Sequence, residues 1–194
     1  KTFTVAAEDG KEVVLAGISH ESNGTPSTVT FENITIDNSI VADGWFTGTA
    51  PNIIPCVGAW GGNLTFNSCT FEVAGTSKRE TGVMTWWTGD NLMTLAFNEC
   101  VFNGIDDHAS ARAMQIYGKV DMTVTECEFN TKKDYTLKYV AKEGCSATFT
   151  ENTVNNSENF VELGSAPYAG ADYAVYLNSN ILGTGVSNYV IAND

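Results

Sequence analysis

The sequence is poor in basic residues. Ten Lys and Arg stand against 23 Asp and Glu in a chain of 194 residues, which gives a formal net charge of −13. Binding to nucleic acid requires positive charge against the phosphates, and an anionic membrane surface repels a chain this acidic. We therefore expect no nucleic-acid partner and a protein whose own charge keeps it soluble.

Long apolar runs and proline are scarce as well. No apolar run approaches the roughly 18 residues of a membrane span, so we expect no membrane insertion. Hydrophobic residues make up 43% of the chain, charged residues only 17%, and there are four Pro, a composition that argues against disorder. The chain opens at Lys1 without Met or a signal peptide. We expect residues 1–194 to form one domain excised from a longer extracellular or cell-surface protein.

No segment shows a convincing hydrophobic period of 3.6 residues, which an amphipathic helix would have. The sequence instead contains a recurring segment with the pattern of a strand. Six segments of eight residues, from residues 29–36 to residues 175–182, align and share three columns of side chains. The first column holds Phe31, Phe66, Phe97, Val124, Phe149 and Leu177. The second holds Ile34, Cys69, Cys100, Cys127, Asn152 and Asn180. The third holds Ile36, Phe71, Phe102, Phe129, Val154 and Leu182.

The spacing of these columns predicts a coil of stacked strands. The second and third columns lie two residues apart, which is the strand period, but the first and second lie three apart, which predicts a bend between them. A second, weaker set of apolar stretches lies between the segments, so one repeat reads as strand, turn, strand and loop. A single rung cannot bury its apolar face alone, whereas about six to seven stacked rungs can. The second column then forms an internal ladder.

The Phe-x-x-Asn/Cys-x-Phe rungs resemble those of right-handed parallel β-helix proteins of the pectate-lyase-like superfamily. The resemblance implies an all-β, single-stranded, right-handed parallel solenoid over about residues 10–191. That superfamily holds polysaccharide lyases and hydrolases, phage tailspikes and bacterial surface adhesins, so the fold alone does not name the function.

The five cysteines are predicted to be structural. Five is an odd number, so at least one thiol is free. We expect Cys69, Cys100 and Cys127 to be reduced and buried, because stacked side chains point the same way and a bridge between them would be strained. No Cys-x-x-Cys motif and only two His are present, so we expect no cofactor or structural metal. Calcium is the alternative that the many acidic residues leave open, although no calcium-binding motif is present.

One loop offers a candidate catalytic group. Asp106, Asp107 and His108 are followed by Arg112, and a polysaccharide lyase needs a base together with a cation to neutralise a uronate. The alternative is that these residues only solubilise the loop. The exposed column Glu99, Glu126 and Glu151 would repel itself and hold either a cation or water.

An aromatic strip is the candidate binding surface. Neighbouring residues of a strand point to opposite sides, so one of Trp86 and Trp87 points outward. We expect an outward strip near Trp60, Trp87 and Tyr117, continued by Tyr139, that stacks on a glycan or anchors a host protein. The alternative is that these rings pack under neighbouring loops.

These features favour a non-catalytic bacterial surface module of adhesin type that binds a glycan or a host surface protein. The alternatives are a polysaccharide lyase or glycoside hydrolase of the same fold, and a purely structural spacer. Unpaired strands at the two ends of the coil also predict end-to-end self-association.

Overall fold

The computed structural model describes residues 1–22, 26–42, 53–76, 78–86, 90–106, 110–164, 168 and 170–193. Over these ranges the chain forms 21 β-strands and no helix, so none of these residues lies in a helix that could span a membrane. The strands form three sheets of seven strands, which we call A, B and C.

Each sheet takes every third strand of the chain. Sheet A consists of β1 (Thr2–Ala6), β4 (Thr28–Glu32), β7 (Asn63–Asn67), β10 (Met93–Asn98), β13 (Val120–Thr125), β16 (Ser146–Thr150) and β19 (Ala174–Asn178). Sheet B consists of β2 (Val14–Leu15), β5 (Thr35–Asp37), β8 (Thr70–Val73), β11 (Val101–Gly104), β14 (Glu128–Asn130), β17 (Thr153–Val154) and β20 (Ile181–Leu182). Sheet C consists of β3 (Ile18–Glu21), β6 (Val57–Trp60), β9 (Thr81–Thr85), β12 (Arg112–Gly118), β15 (Tyr135–Ala141), β18 (Asn159–Gly164) and β21 (Asn188–Asn193).

The chain visits sheets A, B and C in turn, and each strand pairs in parallel with its counterpart one turn later. The result is a parallel β-solenoid of about six turns, which confirms the predicted fold class. The repeat has three strands, however, where the sequence pattern indicated two. Each eight-residue segment is cut by a bend into a sheet A strand and a sheet B strand.

Equivalent residues of successive turns stack in the interior, as the columns predicted. Phe31 lies beside Phe66, and Phe66 beside Phe97, with ring centroids 5.0 and 5.1 Å apart and nearly parallel planes. The third column stacks in the same way, with 4.3 Å between Phe71 and Phe102. Side chains from all three sheets join one continuous apolar core, whose burial is the main stabilising force of the fold.

The bend between sheets A and B is made by one residue in the left-handed backbone region. This residue has φ between 50° and 57° in six successive turns, at Asn33, Ser68, Glu99, Glu126, Glu151 and Ser179. None of the six is Gly, so each carries the steric cost of about 1 kcal/mol that L-residues meet in this region. This bend lets the first and second columns of side chains both point into the interior, although they lie three residues apart.

The bend leaves the next backbone N–H, that of the ladder residue, without a partner in the sheet ladders. At three successive corners a side chain of the following turn accepts it. Cys100 N donates to Cys127 Sγ at 3.3 Å, and Cys127 N donates to Asn152 Oδ1 at 2.9 Å. Asn152 N donates to Asn180 Oδ1 at 3.1 Å. Cys and Asn thus occupy one column because the sulfur and the amide oxygen accept the same hydrogen bond.

The ladder side chains also donate in equivalent ways. Cys127 Sγ lies 3.6 Å from Phe97 O, and Asn152 Nδ2 lies 3.0 Å from Val124 O, which is the equivalent carbonyl one turn on. Cys127 and Asn152 therefore each bridge the corner of the preceding turn with one donor and one acceptor. The ladder residues are buried from Ile34 to Asn152, while Asn180 in the last turn is half-buried.

The two ends of the solenoid leave apolar side chains in solvent. In the first turn Phe3 is 50% exposed, and in the last turn Ile181 is 64% exposed. The outermost strands at either end have one neighbour each among the described residues. Such edges favour pairing with a further strand, and end-to-end association stays a prediction.

The hydrogen bonding of the ladder can be tested at Cys127. Asn at this position should accept the Cys100 N–H and donate to Phe97 O, whereas Val is apolar and leaves the buried N–H unpaired. We expect Cys127→Asn to stay within about 1 kcal/mol of the parent protein and Cys127→Val to lose about 2 kcal/mol. Urea denaturation measures both free energies of unfolding. Equal losses for the two variants would show that the sulfur serves only as packing.

The thiols should be inert in the folded protein. All five cysteines are free and buried. The hydrogen bond with Cys127, ahead of burial, raises the pKa of Cys100 to about 12, and burial raises that of Cys145. The reactive thiolate is therefore suppressed at these two cysteines. We expect an aromatic disulfide reagent at about pH 8 to find no fast thiol in the native protein and all five after unfolding. A rapidly labelled native cysteine, or fewer than five after unfolding, contradicts this.

Candidate binding face

Sheet C differs from sheet A in how its outward side chains are covered. On sheet A the outward positions carry mainly small polar residues, such as Thr94 and Thr123, which are exposed. On sheet C several outward side chains are almost fully covered. Several retain only 2% to 7% of their exposure, namely Thr81, Met84, Tyr135 and Glu162. We call the outward side chains of β6, β9, β12, β15 and β18, with Trp86 directly after β9, the sheet C face.

Three aromatic residues form a column at one edge of this face. Val57 and Ala59 point into the core, so alternation along β6 places Trp60 outward. Ala59 pairs with Thr85. The same register, continued by one residue beyond β9, places Trp86 beside Trp60. The rings of Trp86 and Tyr117 then lie 5.2 Å apart at 57°. Trp60, Trp86 and Tyr117 are all half-buried, and we call them the aromatic column.

The structure therefore brings together three of the four aromatic residues predicted for binding. Trp87 lies outside the described residues. The expectation that Tyr139 continues the strip is wrong, because Tyr139 is fully buried and donates its hydroxyl to Val120 O at 2.7 Å. The register places Val140 beside Tyr117 and gives Tyr139 the inward position beside Ile116.

A second row of the face is centred on the Tyr135 hydroxyl, which the sequence did not single out. Arg112 Nη1 donates to this oxygen, and Gln115 Nε2 donates to it at 2.8 Å. The guanidinium of Arg112 lies 4.8 Å from the centre of the Tyr135 ring, and Lys138 Nζ lies 5.8 Å from it. Burial raises the pKa of Tyr135, so its hydroxyl stays protonated at neutral pH.

The charges on and beside the face are matched internally. Glu80 accepts from both Arg112 and Lys133, and Lys138 Nζ lies 2.5 Å from Glu162 Oε1. Three cations therefore meet two carboxylates, in a protein that is strongly acidic as a whole. Sequence reasoning missed Glu80, Lys138 and Glu162, because their partners lie 24 to 53 residues away. An alignment of the sheet C strands with one another would have brought these residues together. The loops before these strands differ in length, so the alignment was not visible in the sequence.

A cleft of about 380 Å³ lies near the Tyr117 end of the face, where β12 and β15 finish. Lys119, Lys142, Glu143, Tyr168 and Asp90 are among its lining residues. Lys142 Nζ lies 3.1 Å from Asp90 Oδ1 and 5.6 Å from the centre of the Tyr168 ring. The aromatic column thus leads toward an indentation with further polar groups.

The candidate catalytic residues are only partly described. Asp106 is exposed after β11, and Arg112 begins β12 with its guanidinium held by Glu80 and Tyr135. Asp107 and His108 lie outside the described residues, so the catalytic hypothesis that joins these four stays a prediction. The other histidine, His20, lies 3.1 Å from Ser27 Oγ through Nε2, and burial lowers its pKa.

The acidic column is confirmed as an exposed row at the A–B corner. Glu99, Glu126 and Glu151 are exposed on successive turns, and Glu99 accepts from Ser68 Oγ at 3.1 Å. Within the described residues, no group of three or more His, Cys, Asp or Glu is arranged to hold a metal ion. The cysteine ladder bonds to backbone groups and to its own members.

Comparison with known proteins finds no matching family model, no similar curated protein and no similar solved structure. Membership of the pectate-lyase-like superfamily therefore stays a prediction from the rung motif, while the parallel β-solenoid is shown by the strand order.

The role of Tyr135 as a hydrogen-bond centre predicts a stability loss. Tyr135→Phe removes an oxygen that accepts from two side chains in a covered position, so we expect a loss of about 1–2 kcal/mol in urea denaturation. Tyr176→Phe is the matched control, because Tyr176 is 55% exposed on sheet A and should change stability by less than about 0.5 kcal/mol. Indistinguishable losses for the two variants would contradict this role.

Proposed function

We propose that the chain is a non-catalytic module of a bacterial cell surface, of adhesin type, which binds a glycan through the sheet C face. The observation that carries the proposal is the aromatic column of Trp60, Trp86 and Tyr117. Large aromatic side chains that are half-buried and outward offer apolar area on a rigid support, and such rings stack on the apolar faces of sugars. A ladder of parallel strands holds the rings in fixed register.

The rest of the molecule supports a display role. A solenoid is elongated along one axis, and each turn contacts only its neighbours, so the fold extends without changing its cross-section. The net charge of −13 favours solubility in the open medium. A host surface protein is the alternative ligand, since aromatic residues also anchor protein interfaces.

Trp86 is the sharpest probe of this function. We expect the parent protein to be retained on at least one member of an immobilised panel of polysaccharides without releasing reducing ends. Trp86→Ala should weaken retention about tenfold, because one stacking contact contributes about 1.4 kcal/mol. Tyr176→Ala, which removes an exposed aromatic from sheet A, should bind like the parent.

Three results would contradict the proposal. Retention that Trp86→Ala leaves unchanged would remove the aromatic column from the site. Release of reducing ends by the parent protein would favour the alternative of a polysaccharide lyase or glycoside hydrolase. The absence of retention on every polysaccharide would favour a structural spacer or a protein ligand.

A further inference from the structure

We infer that the ligand of the sheet C face is an uncharged glycan whose chain runs along the solenoid axis, across the strands. This inference rests on the proposed function and adds the charge class and the direction of the ligand. Two independent features support it. The pairing of charges on and beside the face supports the charge class, and the direction of the aromatic column supports the direction of the ligand.

The charged groups of the face already have partners. The side chain of Glu162 is 9% exposed and that of Lys138 is 25% exposed, with 2.5 Å between their charged atoms. Arg112 is 12% exposed and shares Glu80 with Lys133. An ionic ligand would have to separate these pairs, and the covered side chains of Arg112 and Glu162 would then lose the partners of their charges.

The net charge of the whole chain also favours an uncharged ligand. A polyanionic glycan approaches a molecule of net charge −13 against long-range repulsion. The three cations and two carboxylates on and beside the sheet C face leave a single excess positive charge. A neutral chain meets neither the repulsion nor the paired charges.

The direction follows from the sheet geometry. Trp60, Trp86 and Tyr117 come from three successive turns, on neighbouring strands about 4.8 Å apart. The platform therefore extends about 10 Å along the axis and is only one side chain wide along each strand. A sugar chain that stacks on all three rings must cross the strands.

Groups for hydroxyl recognition lie beside the platform. Lys138 has three N–H donors, of which one meets Glu162 Oε1. Gln115 Nε2 has two, of which one meets the Tyr135 hydroxyl. These remaining donors are fixed by their existing bonds, and they suit the hydroxyl groups of a neutral sugar without any change in the ion pairs.

Affinity electrophoresis separates the charge classes. Native gels carry either a neutral polymer (hydroxyethylcellulose, xyloglucan or galactomannan) or an acidic one (polygalacturonate or alginate), at about 20 and about 500 mM added salt. We expect a neutral polymer to retard the parent protein equally at both salt concentrations, and the acidic polymers to leave it unretarded. Trp86→Ala should lose the retardation about tenfold.

Glu80→Gln tests the charge argument by a gain of binding to an acidic polymer. Removing this carboxylate frees Arg112 and Lys133, so the variant should gain retardation by polygalacturonate at low salt and lose it at high salt. Glu128→Gln removes an equal charge from an exposed position on sheet B and should not gain it. Urea denaturation of Glu80→Gln checks that the variant is folded under the conditions of the gels.

Direction is read from a length series of neutral oligosaccharides of the retarding polymer. Affinity should rise with length until all three rings are covered, and Trp60→Ala should weaken the longer members more than the shortest. An equal effect of Trp60→Ala at every length would overturn the direction.

The remaining outcomes separate the two levels of the proposal. Salt-sensitive retardation by an acidic polymer that depends on Trp86 would overturn the neutral class and keep the proposed function. Retardation by no polymer, or retardation independent of Trp86, would overturn the proposed function and this inference with it.

Discussion

One hydrogen bond, repeated at three successive corners, sets the geometry of the middle of this solenoid. The left-handed residue at the A–B corner turns the chain, and the N–H that follows it finds no carbonyl in the adjoining sheets. A side chain of the next turn must accept that N–H, as Cys127 and Asn152 do. Because the corner is enclosed, the accepting side chain must also be small and must supply a donor of its own. Cys and Asn meet both conditions, and an unpaired buried N–H would cost about 1–3 kcal/mol at each turn.

The register of the other sheets follows from this corner. Sheets A and B begin or end within a few residues of it, so stacking the corners aligns Phe66 with Phe97 and Phe71 with Phe102. Sheet C is joined to them by loops of unequal length, yet its strands keep the same parallel order. A slip of one residue in sheet C would turn Trp86 and Tyr117 inward and bring Thr85 and Ile116 out. The candidate face therefore depends on the same stack that builds the core.

Much of the fold could be predicted from the sequence, because the ladder columns have fixed spacing and recur six times. The corner itself was visible only as an irregular spacing, since its residues are as different as Asn33, Ser68 and Glu99. Buried positions share apolar side chains that an alignment can detect. The left-handed corner position is shared by residues of different chemistry, so an alignment does not reveal it. The candidate face was harder still. Trp86 could be placed beside Tyr117 only once the ends of β9 and β12 were known, and Glu80 and Lys133 meet across two turns from loops of unrelated sequence.

The placement of charge divides the surface into two parts with different consequences. The exposed carboxylates Glu99, Glu126 and Glu151 follow one another along the A–B corner, which is the one corner that sheet C does not adjoin. Their mutual repulsion is spread into solvent and screened by salt. On the sheet C face, by contrast, cations and carboxylates are brought into contact and partly removed from water. An aromatic surface whose charges are largely paired can bind a ligand by stacking and hydrogen bonds.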